Sequence, residues 1–231
     1  MQEHDTALDR LRHRRVTLPE RADLTQLEEE VASLEQRLAE VREQRDVVAR
    51  RQKRLEDELA SVEAKTAEIE KRLYSGAVTV PRELQAMQGE VESLRRRRSD
   101  LEDQVLEAMG EREPLDDEVG RLEAERTSRD AEGGRLRAAI AEAEAAIDAE
   151  MASEREAREA LAAVLPDELS SLYEQLRARL GGIGAARLVN GRCSGCHLTL
   201  PATELDRIRK EPPDALVRCE QCGRLLIRPG Q

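Results

Sequence analysis

Between Leu24 and Leu73, alternate steps of three and four residues land on Leu24, Leu27, Val31, Leu34, Leu38, Val41, Arg45, Val48, Gln52, Leu55, Leu59, Val62, Thr66, Ile69 and Leu73. Twelve of these fifteen positions are apolar, about twice what a hydrophobic content of 39% supplies at random. No Gly or Pro interrupts the run, and Glu, Arg and Lys crowd the positions between. This is a heptad seam with charged flanks, which folds as a coiled coil and as little else. A helix of this length extends roughly 80 Å. Arg45, Gln52 and Thr66 in the seam cost stability but fix register.

The seam stops at "YSGAVTVPREL", where Gly76 permits a turn and Pro81 suits the first turn of a new helix. A second seam starts at once: Leu84, Met87, Val91, Leu94, Arg98, Leu101, Val105, Ala108, Arg112, Leu115, Val119 and Leu122. Two long helices joined by so short a connection are antiparallel neighbours. Folding about residue 78 sets Leu73 near Leu84 and Leu55 near Leu101. Pro114 is expected to kink the second helix or start a new turn, and Gly133-Gly134 to weaken it. Apolar positions resume at Leu136, Ile140, Ala143 and Ile147 in an Ala-rich stretch that ends before Pro166. A short helix carrying Leu8 and Leu11, with Leu18 before Pro19, is the expected neighbour for that stretch. "DELSSLYEQLRARL" gives one more helix with Asp167 as its N-cap, and "GGIG" at 181–184 reads as a flexible break.

Composition agrees with this architecture and excludes several functions. Charged residues make up 38% of the 231, Phe and Trp are absent, and Tyr74 and Tyr173 are the only aromatics. No apolar run is long enough to span a bilayer, and the N-terminus lacks the apolar core of a secretory signal. The expected location is therefore the cytoplasm, where thiols stay reduced. The sequence contains no phosphate-cradling Gly loop and no nucleophile–base arrangement; "GGIG" lacks the strand and spacing of a nucleotide-binding turn. No catalytic residue and no small-molecule substrate are expected.

All four cysteines lie near the C-terminus, as Cys193-x-x-Cys196 and Cys219-x-x-Cys222 with 22 residues between the pairs. Two intervening residues let both sulfurs of a pair reach one ion, and two such turns complete a tetrahedron about Zn²⁺. Gly195 and Gly223 are expected to supply the backbone freedom of the turns. A redox centre generally uses a single pair at a helix start, and iron–sulfur clusters favour other spacings. His197 beside Cys196 is read as a surface neighbour, because four thiolates already fill the shell. A closed four-thiolate site has no open position, so the one zinc is structural and contributes to folding a segment of so few large apolar groups. "AARLVNGRC" reads as a strand and an Asn190-Gly191 turn, Leu225 to Arg228 as a second strand, and "LPATELDRIRKE" as a short helix between the knuckles.

The chain resembles the bacterial coiled-coil hairpin proteins that carry a C-terminal four-cysteine zinc ribbon. The hairpin tip "LYSGAVTVPRELQAM", the ribbon segments "LVNGRCSGCHLTLP" and "CEQCGRLL", and "LYEQLR" ahead of them carry the resemblance. The opening "HDTALDRLRHRRVTLPE" resembles actinobacterial members. Many tips have Asn or Lys where this chain has Thr79 and Val80. The resemblance implies zinc at Cys193, Cys196, Cys219 and Cys222 and an adaptor role toward nucleic acid, RNA above all, or toward proteins.

The expected fold is thus mainly α: a long antiparallel coiled-coil hairpin over 1–180, with its tip at about 75–82, followed by a small β-rich zinc ribbon over 185–231. Net charge is −11, yet residues 187–231 hold eight Lys or Arg against five Asp or Glu. The candidates for contact with nucleic acid, RNA or DNA, through the ribbon are Arg192, Arg207, Arg209, Lys210, Arg218, Arg224 and Arg228. The ribbon has no aromatic on which a base could stack, so binding would rest on phosphate charge. "RLRHRR" at 10–15, "RRQKR" at 50–54 and "RRRR" at 95–98 are read as solvated helix faces paired with acids. The other expected role is a purely protein–protein scaffold or chaperone-like regulator, with the hairpin binding proteins.

Overall fold

A computed structural model describes residues 1–228. The last three residues of the expected ribbon domain, 229–231, lie outside the described residues. In chain order the elements are α1 (Gln2–Val16), α2 (Pro19–Tyr74), α3 (Pro81–Ala163), α4 (Asp167–Arg179), β1 (Ala185–Val189), β2 (Arg192–Cys193), α5 (Ala202–Lys210) and β3 (Leu225–Ile227). Contacts divide the chain into two compact units, Asp23–Leu136 and Met1–Ala22 with Arg137–Gln231.

Asp23–Leu136 holds the facing lengths of α2 and α3. Every seam position of α2 is buried or half-buried, and so is every seam position of α3 from Leu84 to Leu122 except Arg98. Leu38, Val119 and Leu122 form one buried cluster, with Leu34 and Val41 against it. Ion pairs flank the seam and report its register: Glu30–Arg129 at 3.5 Å, Glu63–Arg98 at 3.2 Å and Lys65–Glu90 at 2.8 Å. These pairs are centred near residue 80, slightly beyond the expected 78. Most of the basic clusters here are paired with acids across the helices, as a solvated face requires: Arg51 with Glu111, Arg95 with Glu70, and Arg97 with Glu58.

Pro114 does not end α3, which runs unbroken through it and through Gly133-Gly134. Proline removes one i→i−4 bond and crowds the carbonyl four residues back. That carbonyl belongs to Gly110, and Gly110 and Pro114 are both exposed. Water can take the orphaned acceptor, and a residue without Cβ lets its carbonyl tilt away. The seam on the opposite face, Ala108 at 0% and Val119 at 6% exposure, continues across the gap.

In the second unit α1 packs on the C-terminal length of α3. Leu8 is buried and Leu18 with it, and Ile140, Ile147 and Met151 are buried on α3. Side-chain pairs fix the contact, with His4 Nδ1 2.6 Å from Glu154 Oε2 and Arg15 Nε donating to Asp148 at 3.0 Å. The α4 helix begins one residue earlier than a cap at Asp167 implies. Pro166 is the N-cap and makes no side-chain bond, while Asp167 and Glu168 sit in the first turn, where their charge suits the helix dipole.

The break at 181–184 is held in place. Gln2 Oε1 accepts the N–H groups of Gly184 at 2.8 Å and Ala185 at 3.2 Å, and Gln2 Nε2 donates to the Gly182 carbonyl at 3.0 Å. A Cβ at Gly184 would meet the Tyr173 carbonyl oxygen at 2.8 Å and the Arg177 nitrogen at 3.0 Å. Glycine there serves close approach to α4 rather than flexibility.

Candidate metal centre and ribbon surface

The ribbon is a three-stranded sheet of order β2-β1-β3, with β1 antiparallel to β2 and parallel to β3. Asn190 and Gly191, at φ 49° and 77°, make the two-residue turn that pairs Val189 with Arg192. β3 ends at Ile227, one residue short of the expected strand. Ala186, Leu200, Ile208, Val217 and Leu226 form a small core around Cys193 and Cys219.

The two knuckles repeat one backbone pattern. His197 N–H donates to the Cys193 carbonyl and Gly223 N–H to the Cys219 carbonyl, both at 2.8 Å. Cys193 N–H reaches the Leu198 carbonyl at 3.1 Å, and Cys219 N–H the Arg224 carbonyl at 2.9 Å. The residue after the second cysteine is left-handed in each: Gly223 at φ 75° and His197 at φ 61°. In the first knuckle the left-handed position therefore belongs to the histidine. Gly195 is needed for space instead, since a Cβ would lie 2.5 Å from Arg224 Cδ and 3.0 Å from Ala186 Cβ.

The sulfurs of Cys193, Cys196, Cys219 and Cys222 all lie within 4.8 Å of one another. Cys193 Sγ is 3.9 Å from Cys222 Sγ, and Cys196 Sγ is 4.0 Å from Cys219 Sγ. A disulfide needs about 2.05 Å, whereas four sulfurs about 2.3 Å from a central Zn²⁺ stand roughly 3.8 Å apart. The separation fits one tetrahedral ion. His197 is exposed and is not among the clustered ligands.

Burial pushes the Cys193 thiol up and the Cys219 thiol up to about 12. At Cys222 burial also acts upward, but hydrogen bonds from the Arg224 N–H and side chain outweigh it and draw the thiol down to about 7. A divalent cation makes four thiolates in one pocket favourable, so uptake of the metal displaces protons. Four such ligands fill a tetrahedral shell and leave no place for substrate. The chain carries one structural zinc of the four-cysteine type.

The seven basic candidates fall into two groups. Arg224 donates through Nε to the Ile183 carbonyl at 2.9 Å and through Nη2 to the Leu180 carbonyl at 2.8 Å. Arg228 donates to the carbonyls of Ile208 at 3.2 Å, Glu211 at 2.9 Å and Pro213 at 2.8 Å. Both are half-buried braces, one tying the second knuckle to the 181–183 loop and the other closing the loop after α5. The remaining five are exposed. Arg192 donates to the His197 carbonyl at 2.9 Å, Arg207 pairs with Glu220 at 2.5 Å, and Arg209 pairs with Asp206 at 3.1 Å. Among the described residues the side chains of Lys210 and Arg218 have no hydrogen bond or ion pair. The Arg207–Glu220 pair lays the last turn of α5 beside the second knuckle, two residues from Arg218.

One site was not foreseen from the residues. Asp5, 2% exposed, accepts from Tyr173 Oη at 2.5 Å and from Arg158 Nε at 2.9 Å, with Arg177 Nε 3.7 Å away. Burial alone would raise its pKa, but the bonds from Tyr173 and Arg158 and the two cationic charges hold it below its ordinary value. Tyr173 is pushed upward, by burial first and then by Asp5. The partners lie more than 150 residues apart in sequence, and no local pattern marks them.

Among the described residues no helix is long and apolar enough to cross a membrane. Residues 1–181 match the CT398-like coiled coil hairpin domain, and residues 192–226 match the C4-type zinc ribbon domain. The uncharacterized protein Rv2229c of Mycobacterium tuberculosis strain H37Rv is 34% identical over 224 residues, spanning 97% of this chain and 91% of the relative. A solved structure from Mycobacterium smegmatis is 30% identical, with a TM-score of 0.87 over 99% of this chain and 94% of that one. CT398 of Chlamydia trachomatis shares the fold at 23% identity, with a TM-score of 0.64 over 99% of this chain and 94% of that one. Neither matched domain points to catalysis. With its paired seams, its short tip and its four clustered sulfurs, the chain belongs to the CT398-like coiled-coil hairpin family and carries a C4-type zinc ribbon.

Proposed function

We propose that the protein is a non-enzymatic adaptor whose ribbon binds RNA through its phosphates, in a compartment where the four thiolates stay reduced. Cys193, Cys196, Cys219 and Cys222 are the zinc ligands in this reading, and the metal holds the surface in shape. One observation carries it: Lys210 and Arg218 are exposed and without an acidic partner in a chain of net charge −11. Arg192 adds a third charge that only a backbone carbonyl occupies. Arg207 and Arg209 sit in exposed ion pairs, which are weak enough to reopen toward a phosphate. With no aromatic in the ribbon, binding follows charge rather than base identity and is steeply salt-dependent.

Fluorescence anisotropy with a labelled 20-nucleotide RNA tests this on the full chain. Lys210→Glu with Arg218→Glu is expected to weaken binding roughly tenfold or more and to flatten the plot of log affinity against log salt by about 1 to 2. Unchanged affinity and slope would remove the ribbon from the interface. A protein-binding role for the hairpin rests on its tip, where Tyr74 is 80% exposed and Val80 49% exposed. A scaffold that binds no nucleic acid is the reading left if the wild-type chain ignores RNA at low salt.

A further inference from the structure

The stripe Thr6, Asp9, Arg10, His13, Arg14 and Thr17 follows helical spacing along α1 and lines a cleft of about 550 Å³ closed on its other side by Gly181, Gly182 and Ile183. Arg51, Arg95 and Arg97 on the hairpin are covered by acids. Arg10 and His13 of this stripe are not. The single acid in it, Asp9, is already neutralised: Arg177 Nη2 donates to its carboxylate at 2.9 Å and Arg12 Nη1 at 2.7 Å. Arg10 and His13 have no hydrogen bond or ion pair from their side chains among the described residues. Arg14 has only a loose, exposed contact with Glu150 at 3.7 Å. The result is a concave surface with surplus positive charge in an acidic protein.

We propose that this cleft is a second phosphate-binding site, separate from the ribbon, and that it takes the backbone of the same RNA strand. The inference rests on the RNA reading above for its partner, but not for its phosphate chemistry. Arg10 and Arg14 stand one turn apart, about 6 Å along the helix, so each guanidinium can take one of two neighbouring phosphates in a forked contact. His13 lies between them on the same face. Ile183 is the only large apolar side chain in the lining, and no aromatic is present, so the cleft offers little to a base or to an apolar anchor of a protein partner. Glycine at 181, at φ 68° and with open space where a Cβ would stand, leaves that part of the wall free for an anion, while the Asp9 carboxylate lies against Gly182.

The chain has three histidines, one in each place of interest, which makes ring-proton NMR of the full zinc-loaded protein the direct test. His13 reports on the cleft, His197 on the ribbon, and His4, held by Glu154, on the integrity of the α1 contact. Titration with inorganic pyrophosphate is expected to move His13 and leave His4 and His197 in place. A uridine 20-mer is expected to move both His13 and His197. In Arg10→Ala with Arg14→Ala the His13 response to both ligands disappears, the His4 signal stays, and RNA affinity at low salt falls roughly tenfold. RNA that moves His197 while neither ligand moves His13 overturns the cleft and leaves the ribbon reading standing. Pyrophosphate that moves His13 in a chain binding no RNA supports the phosphate site and overturns the RNA reading. A poly-glutamate peptide that moves His13 as strongly as RNA does overturns the phosphate assignment in favour of an acidic protein.

Discussion

Asp5 shows how one carboxylate can fix the meeting of three helices. It sits on α1 and is bonded by Arg158 of α3 and Tyr173 of α4. A neighbouring chain of contacts repeats the theme, with Arg177 bound to Asp9 and Glu174 to Arg158. Removing one member of a buried charged cluster leaves the others uncompensated, at a cost of about 3 kcal/mol or more. Asp5→Ala is therefore expected to lower stability against urea by about that amount at pH 7. The folded-state pKa of Asp5 is depressed, so its contribution is present above the unfolded value of 3.8 and is lost as pH falls through the folded value. The gap between wild type and variant should narrow in urea titrations below pH 3.8, and a gap that stays constant with pH would show that Asp5 acts by packing alone. None of this was legible in the sequence, because an acid at position 5 and a tyrosine at 173 carry no local signature. The zinc ligands were legible for the opposite reason: Cys-x-x-Cys spacing is itself the geometry of the site.

At the scale of elements, the two seams and the short tip dictated an antiparallel pair, and the flanking ion pairs follow from charges placed between seam positions. Proline was the misleading signal. Pro114 suggests a kink or a new turn when read alone; no new helix starts there, because a helix is held by its buried stripe, and the stripe of Ala108, Leu115 and Val119 passes the gap intact. Pro114→Ala restores a backbone donor opposite Gly110 and is expected to stabilise the hairpin by about 1 to 3 kcal/mol with no change in helical circular dichroism. A gain in helical signal would show that the helix was locally broken there. The basic residues divide for a reason that spacing cannot supply. Arg224 and Arg228 look like Arg218 in sequence, yet carbonyls at the 181–183 loop and after α5 claim them, because a small ribbon with few apolar groups closes its loops with arginine forks. Removing either would be read in ribbon stability before it was read in binding.

At the scale of the whole molecule, a predominantly acidic chain places basic side chains without an acidic partner on the last turn of α5 with Arg218 and on the Arg10–Arg14 face of α1, besides scattered positions of the hairpin such as Arg50, Arg54 and Arg96. An acidic body repels nucleic acid along most of its surface, so specificity of placement comes from where the repulsion is relieved. The ribbon can present its charges only while the knuckles are closed, since too few apolar residues surround Cys193 and Cys219 to hold β1, β3 and α5 together without the ion. RNA affinity measured by anisotropy on one preparation, before and after zinc is stripped with a chelator and after zinc is restored, tests that dependence most directly. Binding that is lost on stripping, with helical circular dichroism retained, and that returns with one equivalent of zinc per chain is the predicted result; binding that is unchanged in the zinc-free protein would contradict it.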